Sequence, residues 1–190
     1  MLRVGRPKEF DVDEAVDAAT QAFRERGYEA TSTQDLCDAT GLCRSSIYHT
    51  FGSKRELFER SLTRYTERQT GELIDLLHAD TPVPERLRAL FDAIITAGSD
   101  GCFTVNSVVE LAGRDDELTA CALRGMASLR GELRCAIEAG QAAGEIRTGS
   151  SPDELADFVQ ATVAGLQVMA RGGLDGSAMR HAANVALAAM

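Results

Sequence analysis

Apolar side chains recur at helical spacing along the chain, and no segment alternates apolar and polar residues as a strand would. In residues 10–26, Val12, Val16 and Phe23 fall on one face of such a helix. Gly27 is well placed to end that helix. The pattern predicts an all-α fold that opens with an amphipathic helix.

Glycine, proline and capping residues divide the rest of the chain into further helices. Residues 80–84, DTPVP, form the clearest boundary. The later predicted helices cover residues 32–39, 44–50, 54–78, 84–97, 103–112, 116–143, 153–171 and 175–189. The whole fold therefore has about nine helices. We expect two domains, a head over 1–53 and a helical body over 54–190.

The most informative segment is 31–54, TSTQDLCDATGLCRSSIYHTFGSK. Two short helices joined by a turn at Gly41 predict a helix-turn-helix. Its apolar residues are expected to hold the pair against the first helix: Leu36, Ala39, Leu42 and Ile47. The residues left outside the second helix are Arg44, Ser45, Tyr48 and His49. Such groups bond to phosphates and base edges, so the second helix is predicted to enter the major groove.

This segment, with residues 27–31 before it and 54–58 after it, resembles the N-terminal signature of the TetR family of bacterial regulators over about 50 residues. Residues 101–106, GCFTVN, and 140–146, GQAAGEI, are similar to one branch of that family. The resemblance implies a sequence-specific DNA-binding regulator, a repressor released from its operator by a small-molecule effector.

The resemblance also implies a DNA-binding surface. Arg44 would read guanine, Tyr48 would bond a phosphate and Lys54 would clamp the DNA backbone. Relatives often have a basic residue where this chain has Gln34, and an aromatic residue or histidine where it has Thr50. The expected DNA-binding residues are Thr33, Gln34, Arg44, Ser45, Ser46, Tyr48, His49 and Lys54, with Arg3 and Arg6 of a basic arm.

One helix-turn-helix contacts few base pairs, so a homodimer that spans successive turns of double-stranded DNA is expected. Relatives form their dimer interface from the last two helices. The corresponding residues here are Leu155, Phe158, Thr162, Gly165, Leu166, Ala182, Val185 and Ala186. The effector pocket is expected after Pro82, with a lining that includes Phe91, Ile95, Phe103, Val105, Val108 and Leu129.

The net charge of −9 changes this interpretation little, because the acidic excess lies mostly after residue 68. The first eight residues contain Arg3, Arg6 and Lys8 and no acid, which suits phosphate contact. No apolar run is long enough for a membrane span or a signal peptide. We therefore expect a cytoplasmic protein without a membrane partner.

The sequence favours neither a metal site nor an enzyme. The five cysteines form no CxxC pair, and the three histidines lack metal-ligand spacing. No GxSxG motif or phosphate-binding glycine loop is present. We expect no cofactor, no metal and no catalytic residues.

Two alternatives remain open at this point. Cys43 immediately precedes the recognition helix, where the helix N-terminus and Arg44 are expected to lower the thiol pKa, and Cys37 lies six residues earlier. The regulator would then be switched by thiol oxidation. The other alternative is a helical interaction module without a DNA role.

Overall fold

The computed structural model describes residues 10–98 and 101–190. All regular structure in these ranges is helical, which confirms the all-α prediction. The helices are α1 (Val12–Arg26), α2 (Thr33–Thr40), α3 (Arg44–Phe51), α4 (Lys54–Leu77), α5 (Val83–Thr96), α6 (Phe103–Leu111), α7 (Asp116–Ala142), α8 (Pro152–Arg171) and α9 (Gly176–Ala189).

Capping side chains explain why several helices begin where they do. Asp11 accepts hydrogen bonds from the amides of Asp13 and Glu14 at the start of α1. Ser32 and Ser151 each form a reciprocal capping box with an acidic residue three positions later. These side chains satisfy amides that have no partner inside the helix, so the helix starts are set locally by the sequence.

The chain divides into two compact units, residues 1–61 and 62–190. The division falls within α4, whereas the sequence pattern placed it before that helix. The first turns of α4 belong to the first unit because Leu57 and Phe58 are fully buried. The Phe58 ring packs edge-on against Phe23 of α1, with 4.9 Å between ring centroids.

The core of the first unit holds the helix-turn-helix together. Leu36 of α2 and Ile47 of α3 are buried, as predicted. Leu42 is only half-buried, and Ala39 is exposed, so the prediction that Ala39 packs inward is wrong. Ala39 instead lines an open groove between α1 and α2.

The second unit is a bundle in which α5, α7, α8 and α9 surround an apolar core. Members of this core include Leu87, Leu90, Phe91, Leu133, Ile137, Val159, Val163 and Ala183. Along the described parts of the chain, no helix combines the length and the apolar character that a bilayer span requires.

Candidate nucleic-acid interface

The turn between α2 and α3 is fixed by Gly41, which adopts a left-handed conformation with φ 69°. Its amide donates to the carbonyl of Cys37 and closes the last turn of α2. A side chain at this position would be strained, since residues other than glycine rarely adopt positive φ. The turn therefore sets where α3 begins relative to α2.

Two hydroxyl groups from different helices meet on the outer surface of this motif. The Thr33 Oγ1 atom, in the first turn of α2, lies 3.2 Å from the Tyr48 hydroxyl of α3. The pKa of Tyr48 lies below its ordinary value, first because of the hydrogen bond with Thr33 and then because of Arg44. Either oxygen can donate in this hydrogen bond, which holds the phenol in place while it remains 40% exposed.

Arg44 lies on the same surface. Its guanidinium carbon is 5.6 Å from the centroid of the Tyr48 ring. A guanidinium that rests on an aromatic face keeps its hydrogen-bonding edge available, because the ring interacts with the face of the cation. The structure thus brings together three of the residues that the sequence predicted to bind DNA.

Lys54 is held by a residue that the sequence analysis did not include. Its Nζ atom lies 4.5 Å from the centroid of the Tyr28 ring. Tyr28 in turn packs edge-on against Phe58, with ring centroids 4.8 Å apart. Tyr28 lies in residues 27–31, the part of the signature just before the helix-turn-helix, and that position was the signal that could have identified it.

The other predicted DNA-binding residues differ in their surroundings. Ser45 and His49 are exposed on α3, and Ser46 is half-buried. Gln34 is exposed, but its amide donates to Asp38 within α2 at 2.8 Å. Arg3 and Arg6 lie outside the described residues.

Cys43 occupies the N-cap position of α3 and is exposed. Its Sγ atom lies 3.1 Å from both the Ser45 and the Ser46 hydroxyl oxygens. Hydrogen bonds from these hydroxyls, and from the Ser46 amide, lower the pKa of the thiol to about 7. The predicted direction agrees with this value, but the principal cause is the serine hydroxyls rather than Arg44.

In the second unit, an open groove of about 370 Å³ lies between α4 and α7. Its lining is mostly Thr63, Thr66, Glu67, Thr70, Cys121, Arg124, Gly125 and Ser128. A smaller inner cavity of about 30 Å³ shares Thr70 and Gly125 with the groove. Val105 and Leu129, predicted for the effector pocket, line the inner cavity. Phe91, Ile95, Phe103 and Val108 line neither space.

The residues predicted for a dimer interface divide into three groups. Leu155, Leu166 and Ala186 are buried in the chain's own core. Phe158 and Val185 are exposed apolar side chains, at 42% and 70%. The remaining members, Thr162, Gly165 and Ala182, are half-buried or exposed. Only the second group offers an apolar surface on α8 and α9.

Comparison with known proteins agrees with this arrangement. Residues 15–60 match the family of bacterial regulatory proteins called tetR, and residues 83–186 match the tetracyclin repressor-like C-terminal domain. The chain is 32% identical to the HTH-type transcriptional repressor ComR of Escherichia coli over 89% of this chain and 83% of that protein. It is 37% identical to the uncharacterised regulator YezE of Bacillus subtilis over 60% of this chain and 62% of that protein.

A solved structure of the regulator CifR, a cysteine mutant in complex with a 26-base-pair operator, is also similar. It superposes with a TM-score of 0.81 and 28% identity, over 97% of this chain and 99% of that one.

Proposed function

Since the chain belongs to the tetR family of bacterial regulatory proteins, we propose that it is a transcriptional repressor that binds double-stranded operator DNA as a homodimer and leaves it when a small molecule occupies the second unit. The observation that carries this proposal is the single exposed surface on which Thr33, Arg44 and Tyr48 meet. A DNA-binding role places the protein in the cytoplasm with the chromosome.

The chemistry of that surface suits a duplex. Arg44 offers the two parallel N–H donors that match O6 and N7 of guanine. Tyr48 and Thr33 present hydroxyls for a phosphate oxygen, and Lys54 adds a cation at the start of α4. Arg44 therefore reads sequence, while the hydroxyls and Lys54 set the position of α3 on the backbone.

A second copy of the chain is the expected partner of α8 and α9. Phe158 and Val185 expose apolar area that water solvates poorly, and Gly165 permits a helix to approach closely. Two copies related by a twofold axis would place their recognition helices about 34–36 Å apart, one turn of DNA. Two similar proteins are named as transcriptional repressors, which supports repression rather than activation.

The direct test is to recover and sequence the DNA that the purified full-length protein retains from genomic fragments. We expect one inverted repeat, bound by two chains. Retention of fragments without any common sequence would contradict sequence-specific binding. Retention of no DNA at all would contradict the proposal and would favour the alternative of an interaction module without a DNA role.

Tyr28 is expected to act in DNA binding through Lys54. Replacing Tyr28 with leucine removes the ring beneath the ammonium, so Lys54 loses its fixed position at the DNA backbone. We expect operator affinity to fall about two- to fivefold, the effect of one exposed cation–π contact. The dependence of affinity on salt should also weaken by about one phosphate contact.

Two controls separate positioning from folding. Tyr28→Phe keeps the ring and should bind with near wild-type affinity and an unchanged salt slope. In Lys54→Gln, the further change Tyr28→Leu should have no additional effect on affinity. Additive losses in that double variant, at equal thermal stability, would show that Tyr28 acts independently of Lys54.

Switching at Cys43 is a second candidate function, favoured by the exposure of the thiol and its pKa of about 7. About half of the thiol is then ionised near neutral pH. The thiolate attacks hydrogen peroxide to form an S–O bond, the O–O bond breaks, and hydroxide leaves as water after taking a proton. The resulting sulfenic acid would disturb the start of α3.

The same thiol predicts a pH dependence of DNA binding without any oxidant. Nearby phosphates disfavour the thiolate, so the pKa of Cys43 is higher in the DNA complex than the value of about 7 in the free protein. Operator affinity should therefore be greatest at pH values below the pKa of the free protein. It should fall a few-fold as the pH rises through about 7.

Cys43→Ser is the matched control, because serine also caps helices and does not ionise in this range. Subtracting its pH profile removes every contribution that does not come from the thiol. Identical profiles for wild type and Cys43→Ser, with and without peroxide, would end the redox hypothesis.

A further inference from the structure

The polar side chains that line the inner cavity of the second unit carry no charge. The cavity lies among α4, α6, α7 and α8, and three glutamine amides line it: Gln69, Gln160 and Gln167. Among the described residues of the lining there is no aspartate, glutamate, lysine, arginine or histidine. A charged group placed here would have no counter-ion, and burial of an unpaired charge is costly.

One polar atom at this cavity has no partner. The Gln160 Oε1 atom is buried and accepts no hydrogen bond in the structure. A buried acceptor without a donor costs free energy that a ligand recovers when it supplies an O–H or N–H group. The cavity is therefore complementary to a hydrogen-bond donor.

The sizes of the two spaces assign different parts of a ligand to each. The inner cavity of about 30 Å³ has room for a group the size of a water molecule. The outer groove of about 370 Å³ has room for a small organic body. Thr70 and Gly125 line both spaces and form the wall between them, so a ligand that inserts a short polar group at this wall would occupy both.

Contacts between neighbouring helices fix the positions of the side chains around this wall. Thr66, which lines the groove, shares a hydrogen bond of 2.8 Å with the Thr104 hydroxyl at the inner cavity. Gly125 lies where any Cβ would meet the methyl group of Thr66. A ligand between α4 and α7 thus contacts the helix that also contains Lys54, which gives it a route to affect DNA binding.

We propose that the effector is a small uncharged molecule with a hydrogen-bond donor, such as an alcohol, a phenol or a primary amide, whose body lies in the α4–α7 groove and whose donor reaches Gln160. This inference rests on the proposed effector response and specifies its ligand class. Apolar lining residues contact the inserted part of the ligand: Leu73, Val105, Met126, Leu129 and Val163.

The test uses the full-length protein without DNA and three probes of the same size class: benzyl alcohol, benzyl methyl ether and benzoate. Calorimetry measures affinity, and the Met126 methyl NMR signal reports occupation of the inner cavity. We expect benzyl alcohol to bind and to shift the Met126 signal. The ether, which lacks a donor, should bind about tenfold more weakly. Benzoate should leave the Met126 signal unshifted, because its carboxylate would have no counter-ion in the inner cavity.

Gln160→Leu removes the acceptor. It should weaken the binding of benzyl alcohol about tenfold and leave the binding of the ether unchanged. Gly131→Ala, on the same helix as the groove but in the lining of neither space, should change neither. Equal binding of alcohol and ether, a Met126 shift with benzoate, unchanged affinity in Gln160→Leu, or no saturation at millimolar alcohol would each overturn the proposal. Operator binding is measured separately, so intact DNA binding alongside any of these results would refute the ligand class and leave the DNA-binding function standing.

Discussion

Arg44→Ala is expected to weaken operator binding about tenfold to a hundredfold for each half-site. Arg44 is exposed at the start of α3 and rests against the Tyr48 ring, so it is ordered before DNA arrives. Alanine loses two donors to a base edge and leaves the fold intact, since Arg44 contributes nothing to the core of the first unit. Fluorescence anisotropy with a labelled operator measures the change.

Arg44→Lys distinguishes base reading from general attraction to phosphate. Lysine keeps the charge but lacks the paired donors of the guanidinium. We expect Arg44→Lys to retain affinity for unrelated DNA and the wild-type salt dependence, while it loses discrimination at one base pair of each half-site. If Arg44→Ala together with Tyr48→Phe left operator affinity unchanged, α3 would not be the recognition helix.

Helix positions were predictable from the sequence because their determinants are local. Ser32 with Asp35, and Ser151 with Glu154, are capping pairs whose two residues lie within one turn of each other. Gly41 ends α2 in the conformation that glycine favours. All predicted helices are present in the described residues, with ends displaced by no more than two residues.

Contacts between helices were not predictable in the same way. The hydrogen bond between Thr33 and Tyr48 joins residues fifteen positions apart, and hydrophobic periodicity identifies an outer face without identifying its neighbours. Ala39 shows the same limit, since an apolar residue at helical spacing was predicted inside and is exposed. A side chain as small as that of alanine can lie in the interior or on the surface at little cost in free energy.

The candidate ligand site shows a further limit. The sequence analysis selected large apolar residues for the pocket, yet the groove is lined by three threonines, two glycines, a serine, a cysteine, two charged residues and one large apolar residue, Ile74. Large apolar residues such as Phe91 fill the core because close packing stabilises the fold. A groove remains where small residues leave space, so its lining depends on how α4 and α7 meet rather than on hydrophobicity.

The contact between α4 and α7 leads to the second large expected effect, a loss of stability in Gly125→Ala. A Cβ at position 125 would lie 1.9 Å from the Thr66 Cγ2 atom, well inside van der Waals contact. Thr66 is buried and hydrogen-bonded to Thr104, so it cannot rotate away freely. Overpacking of this kind costs about 1–3 kcal/mol, against which alanine regains up to about 1 kcal/mol of helix propensity. We expect a net loss of about 1–2 kcal/mol in the free energy of urea unfolding.

Two comparisons isolate the clash as the cause. Gly131→Ala, in the same helix and with nothing within 4 Å of the added Cβ, should stabilise the protein by about 0.5–1 kcal/mol. Thr66→Ser removes the obstructing methyl group and keeps the hydroxyl for Thr104, so in that background Gly125→Ala should become neutral or stabilising. The sign of the effect therefore depends on one methyl group. If Gly125→Ala stabilised the wild-type chain as much as Gly131→Ala does, α4 and α7 would be farther apart than the structure shows, and the wall shared by the groove and the inner cavity would not exist in this form.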